Sequence, residues 1–260
     1  MMHGFWLKSL GLEGSYTAHD VAPDGLDRFF AGLRAQGFVG GNVTVPHKMA
    51  VMKYMSRIDD AAKAIGALNT IWTENGEWCG GNTDVAGFLG NLDESTPDWD
   101  KGSKVAVILG AGGAARAAVY GLLGRGFEVH LVNRTLAHAG ALAAYFGPKV
   151  HAHQWDDAAK VLPLADLLVN TTALGMQAKP PMELDLSRLK PTAIVNDMVY
   201  VPLETGLLNA ARARGHRTVD GLGMLLHQAV SGFTHWFGTA PKVTPELRAL
   251  LENDIRSQMA

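Results

Sequence analysis

The chain has 260 residues, 47% of them hydrophobic, and a formal net charge of -2, enough apolar material for one large or two modest cored domains. That charge leaves no basic surplus for a phosphate backbone and argues against nucleic acid as a partner. Cys79, the single cysteine, excludes an intramolecular disulfide; residues 1–8 lack a signal-peptide layout, and no apolar run is long enough for a bilayer. A soluble cytoplasmic protein without membrane contact is therefore expected.

In chain order, apolar spacing predicts a helix over 3–12 with Phe5, Trp6 and Leu10 turned inward, a strand over 15–21 and a helix over 26–36. A glycine-interrupted strand over 37–45 is expected to stop at Pro46, which cannot donate to a ladder. Residues 49–55 read as helix, their methionines as core filling. The runs 68–73 and 77–79 flank Glu74-Asn75-Gly76, a strong hairpin signal. A polar turn over 80–87 leads into a helix ending near Leu92, and the turn-rich stretch 94–103 reads as a linker. These signals divide the chain into a first α/β domain, 1–93, and a second domain, 104–223. Helices over 224–236 and 245–257, within 224–260, are expected to complete the first.

The stretch from Lys104 to Arg116 organises the second domain. A β-branched apolar run stops at Gly110 and an alanine-rich helix starts two or three residues later. Gly110 permits a sharp turn, Gly112 lets backbone approach a pyrophosphate, and Ala115 allows close helix–strand packing, with the helix N-terminus facing the phosphates. The same letters serve a buried packing turn, but the flanking strand and helix favour a dinucleotide site. Apolar runs at 128–132, 167–169, 193–195 and near Val219 alternate with helical stretches, which predicts a Rossmann-type, doubly wound parallel sheet.

About twenty residues beyond the turn, where an NAD enzyme ends its second strand in a carboxylate, stands Asn133-Arg134-Thr135. Arg134 suits a 2′-phosphate, against the plainer reading of a solvated loop arginine. Of the histidines only His151 and His153 are close in sequence, with no third ligand at helical or turn spacing, and no metal is expected.

Eight segments match a family pattern in its order: 42–48 (Asn-Val-Thr-Val-Pro-His-Lys), 66–70, 80–84 (Gly-Gly-Asn-Thr-Asp), 110–115, 133–135, 170–176, 197–200 (Asp-Met-Val-Tyr) and 220–228. Over nearly its whole length the chain resembles the shikimate and quinate dehydrogenases. The resemblance implies an NADP-dependent oxidoreductase reversibly reducing 3-dehydroshikimate to shikimate in aromatic amino acid biosynthesis. It implies Lys48 and Asp84 as the catalytic pair, and Thr44, Asn69, Asp84, Tyr200 and Gln228 as substrate contacts. NADP would be met by Gly110, Ala111, Gly112, Gly113, Ala114, Asn133, Arg134, Thr135, Thr171, Thr172, Met198, Gly221 and Met224. Asn69 and Gln228 have the plainer alternative of satisfying loop backbone.

Two departures qualify the resemblance. The strand and Ser-x-Ser-Pro turn that the family carries ahead of the first helix do not stand in this sequence, so weak shikimate binding is expected until an upstream segment of about twenty residues is supplied. His138 stands where the family often has a second basic residue, which weakens the exclusion of NAD. The alternatives are an NAD(P)-dependent quinate or shikimate dehydrogenase, and a dinucleotide-binding member that has lost catalysis. Either a monomer or a homodimer is compatible with the sequence.

Overall fold

The computed structural model describes residues 1–33, 35–102 and 104–259. Two compact units emerge: Met1–Asp84 with Leu226–Leu251, and Val85–Leu225 with the chain from Glu252 onward.

The first unit contains α1 (Met2–Leu10), α2 (Leu26–Leu33), β1 (Gly40–Asn42), β2 (Arg57–Ile58), α3 (Asp60–Ile65), β3 (Thr70–Glu74) and β4 (Glu77–Gly81). Its sheet has the order β1-β3-β4-β2. Strand β3 pairs antiparallel with β1 and β4, and β2 runs parallel to β4. The expected hairpin is present, with Glu74 opposite Glu77. Asn75 (φ 51°) and Gly76 (φ 76°) both adopt the left-handed conformation that a two-residue type I′ turn requires. On one side Leu26, Phe30, Val51, Leu68, Ile71 and Trp78 form the core.

Helix α1 buries Met2, His3, Trp6 and Leu7, whereas Phe5 is half-buried and Leu10 is exposed. The inward stripe thus follows i, i+4 spacing from residues 2 and 3, one step from the expected one. Trp6 anchors the helix: its indole N–H donates to the Lys242 carbonyl at 3.0 Å and its ring meets Phe233 edge-on. His3 is 6% exposed, its Nε2 without a hydrogen-bond partner among the described residues, and burial lowers its pKa to about 4.

The strand expected over 15–21 does not form. Residues 13–20 are exposed, and the segment is held by side chains: Tyr16 stacks on His3 and donates to Asn42 Oδ1. Alternation without a ladder partner makes no strand. Of the run 37–45 only β1 is regular. A Cβ on Gly40 would lie 2.1 Å from Trp236 Nε1, so glycine there admits the indole, which donates to the Ile71 carbonyl. Residues 49–55 hold a 3-10 helix, Ala50–Tyr54, in place of an α-helix. In the helix expected over 26–36, Arg34 lies outside the described residues, as do Ser103 of the 94–103 stretch and Ala260.

The remaining elements are α4 (Asp84–Ser95), β5 (Val105–Leu109), α5 (Gly113–Gly124), β6 (Glu128–Asn133), α6 (Leu136–Phe146), β7 (Val150–Gln154), α7 (Ala158–Val161), β8 (Leu167–Asn170), β9 (Ile194–Asp197), α8 (Gly206–Ala213), β10 (Arg217–Val219), α9 (Gly221–Phe237) and α10 (Pro245–Met259). The six-stranded sheet of the second unit has the order β10-β9-β8-β5-β6-β7 and is parallel throughout, as the alternation of runs predicts. Apolar clusters cover both faces, and the central strand β5, Val-Ala-Val-Ile-Leu, is accordingly apolar along its whole length. The order reverses between β5 and β8, and ligands of such sheets bind beyond the strand ends at that point.

The turn-rich stretch 94–103 is packed where it is described. Trp99 is buried against Phe127 and donates to Asp93, while Arg125 bridges Asp93 and Asp100 at 2.6 and 2.7 Å. No described helix is long and apolar enough to cross a membrane.

Candidate active site

In the first unit the hairpin and the start of α4 bring together three side chains. Lys48 Nζ lies 3.0 Å from Asp84 Oδ2, both partly exposed, and Asn69 Nδ2 donates to the other carboxylate oxygen at 2.8 Å. Asn69 is buried and engaged at both ends: its Oδ1 accepts from the Thr83 N–H at 2.8 Å and from the Thr70 hydroxyl at 3.0 Å. Its carboxamide is thereby fixed in one orientation, and Asp84 is held with one oxygen toward Lys48. Asn82 caps α4, accepting from the Asp84 N–H at 3.0 Å, and donates to the Ala67 carbonyl. The Lys48 carbonyl accepts from the Leu68 N–H, which ties the lysine's turn to the hairpin. Gln228 joins through the Thr83 hydroxyl, which donates to its Oε1 at 3.2 Å. Thr44 is exposed and lines a hollow of about 710 Å³, and its carbonyl accepts from the His47 N–H in the turn that leads to Lys48.

Asn82 and Thr83 stand in the matched segment 80–84 without an assigned role, and Asp59 lies outside the matched segments. Asp59 caps α3 through the Ala62 N–H and also accepts from the Asn82 N–H, so it supports the turn that carries Asp84. Its sequence signal was the Asp-Asp pair ahead of an alanine-rich segment, an N-cap pattern.

In the second unit, Gly110 ends β5 at φ 109°, and a Cβ there would lie 2.6 Å from Thr171 Oγ1. The Thr171 hydroxyl donates to the Leu109 carbonyl at 2.7 Å, so the glycine turn and the β8 end lock together at the reversal point. Gly112 is the N-cap of α5 and makes no side-chain cap; a Cβ on Gly112 or Gly113 would meet nothing within 4 Å. With half-buried Ala111 and Ala114 beside them, these glycines leave the helix's first N–H groups open to an anion. Ala115 is fully buried, as close packing of helix on strand needs.

Arg134 and Thr135 are exposed at the end of β6, and Asn133 Nδ2 donates to the Thr135 carbonyl. They line a hollow of about 770 Å³ together with His138, Thr172 and Lys179. Lys179, a second cation on this hollow, has no sequence cue beyond its position shortly after the 170–176 loop. That loop is shaped by buried Asp197, which accepts from Asn170 Nδ2, the Val199 N–H and the Thr205 hydroxyl; burial raises its carboxyl pKa. Asn170 Oδ1 in turn accepts from the Thr172 N–H and hydroxyl. Met198 and Met224 pack, half-buried, against the sheet core, and Tyr200 follows β9 half-buried. Gly221 is required by close approach: a Cβ would lie 2.3 Å from the Met198 carbonyl oxygen.

A parallel sheet with a glycine turn at its reversal point, and a separate unit holding a lysine–carboxylate pair, define a dinucleotide-dependent dehydrogenase class. Family patterns match residues 1–71 (shikimate dehydrogenase substrate binding domain), 94–178 (shikimate / quinate 5-dehydrogenase) and 221–251 (shikimate 5'-dehydrogenase C-terminal domain). The chain is 54% identical to a shikimate dehydrogenase (NADP(+)) of Azorhizobium caulinodans over 99% of its own length and 92% of that relative's. A crystal structure of a shikimate dehydrogenase in complex with NADP+ superposes with a TM-score of 0.87 at 36% identity, covering 100% of this chain and 90% of that one. The Thermus thermophilus enzyme in complex with NADP(H) and shikimate gives 0.84 at 35% identity, covering 98% and 92%. The chain belongs to the shikimate dehydrogenase family.

Proposed function

We infer that the protein catalyses the NADP-dependent, reversible reduction of 3-dehydroshikimate to shikimate. The carrying observation is the Lys48–Asp84 pair at 3.0 Å, its carboxylate oriented by a doubly engaged Asn69. NADP, when bound, supplies the hydride or takes it back. The open space at Gly112 and Gly113 fits the pyrophosphate, and exposed Arg134, with Lys179 on the same hollow, fits the 2′-phosphate.

As a ring carbonyl is reduced its oxygen gains negative charge, and the Lys48 ammonium is the donor placed to meet it. Asp84 keeps that ammonium in position, and Asn69 keeps Asp84 from rotating away. Thr44, Asn69 and Gln228 offer neutral hydrogen-bonding groups suited to a polyol ring, with Tyr200 assigned to its carboxylate. We assign substrate handling to residues 1–93 with 224–260 and nucleotide handling to 104–223, in a cytoplasmic enzyme that handles no nucleic acid. Size-exclusion chromatography with light scattering distinguishes monomer from homodimer.

The test is steady-state oxidation of shikimate and quinate with NADP and NAD. Preferred use of shikimate with NADP is expected. Faster quinate oxidation or equal use of NAD supports the alternative dehydrogenase, and nucleotide binding without turnover supports a member that has lost catalysis.

A further inference from the structure

At the edge of the six-stranded sheet, β6 and β7 run parallel with His130 opposite His151. Residues two apart on a strand share a face, so Glu128 and His130 of β6 stand beside His151 and His153 of β7. The third donor that the sequence spacing of His151 and His153 lacks thus comes from across the ladder. Strand β7 was not expected from sequence, because Val-His-Ala-His-Gln carries imidazoles where an apolar alternation would be sought.

We propose that Glu128, His130 and His151 bind one first-row divalent cation of the zinc class. Glu128 Oε1 lies 3.0 Å from His151 Nε2 and 3.5 Å from His130 Nε2, and one ligand atom from each residue falls within 4.8 Å of the others. Tetrahedral zinc with bonds of ~2.0–2.1 Å spaces its donors at roughly 3.3 Å, so the two carboxylate–imidazole edges already have the right length. The remaining edge closes by side-chain torsion. Two imidazoles and one carboxylate suit zinc and its neighbours better than magnesium or calcium, which take oxygen ligands.

The fourth histidine orients the set. His130 Nδ1 lies 2.9 Å from His153 Nε2, so when Nε2 of His130 faces the cation its Nδ1–H donates to His153. Such an outer partner fixes the tautomer and ring plane of a ligating imidazole. The side chains of His151 and Glu128 are 42% and 50% exposed, which gives an ion a path in, while His130 is 11% exposed and anchors the inner side. Three protein donors leave one position for water. The bound ion would clip edge strand β7 to β6.

The experiment uses the full chain stripped by chelator, titrated calorimetrically with Zn²⁺ and, by visible absorption, with Co²⁺. One ion per chain and a tetrahedral cobalt spectrum are expected, with a thermal midpoint raised by Zn²⁺. Glu128→Gln and His151→Ala, at half-exposed positions and checked for native circular dichroism, should abolish saturable binding. His153→Ala should weaken it about 10–100-fold. No stoichiometric binding by the wild type, or binding that survives in both ligand variants, overturns the proposal.

Discussion

In the first unit the functional groups are side chains holding one another: Lys48 on Asp84, Asp84 on Asn69, Asn69 on Thr83 and Thr70. In the second unit the glycine turn offers mostly backbone, with open space where Cβ atoms would stand at Gly112 and Gly113; close approaches leave no room for a Cβ at Gly110, against Thr171, or at Gly221, against the Met198 carbonyl. A site made of side chains can lose its chemistry by one truncation while the fold survives. A site made of backbone resists truncation and fails when an atom is added.

The sharpest test of that contrast is Lys48→Ala, expected to lower kcat by about 10²–10⁴-fold while NADP affinity is retained, read by steady-state kinetics and nucleotide titration. A large loss of NADP affinity with unchanged turnover would falsify the assignment. Next in size is a pH effect confined to the first unit. Because burial lowers the pKa of His3 from 6.5 to about 4, the unfolded chain binds the extra proton first; stability from this group is complete above pH 6.5 and is lost progressively as pH falls from there to about 4. Chemical denaturation should show up to about 3 kcal/mol of acid-dependent loss that His3→Leu removes. An unchanged slope in the variant assigns the acid sensitivity elsewhere.

Arg134→Ala should weaken NADP by roughly 1.5–3 kcal/mol and leave NAD nearly unaffected, since only NADP carries the phosphate that a guanidinium grips. Equal losses for both cofactors would count against a phosphate-binding role. Smallest is Gly221→Ala, which adds one methyl against the Met198 carbonyl and should cost about 1–3 kcal/mol of stability in thermal melts. A neutral result would show that the approach relaxes, and with it that the second unit's backbone is less rigid than the first unit's network.

The parts of this molecule legible in sequence were those whose letters carry their own geometry. Asn75-Gly76 encodes a type I′ turn, and Gly110 after Val-Ala-Val-Ile-Leu encodes strand, turn and helix. Residues 15–21 misled because alternation reports which side chains can face inward and says nothing of whether a neighbouring strand is there to pair. Strand β7 was hidden for the opposite reason: its partner supplies the ladder while its side chains are imidazoles. Lys48, Asn69 and Asp84 were named through the family resemblance, and the spatial support of that set was not visible, since Asp59 reaches the Asn82 N–H across 23 residues.

The hairpin between Asn69 and Asp84 has a kinetic corollary. These residues are 15 apart in sequence, and the chain between them is a two-stranded ribbon closed by a two-residue turn. Ribbons of that kind zip in about 1–10 μs, with little loop entropy to overcome. The carboxylate therefore meets its amide holder through a local contact that can form early, ahead of the sheet pairings that join distant segments. Mutations in the Asn75-Gly76 turn should accordingly slow folding more than they hasten unfolding, a partition measurable from the two arms of a chevron plot.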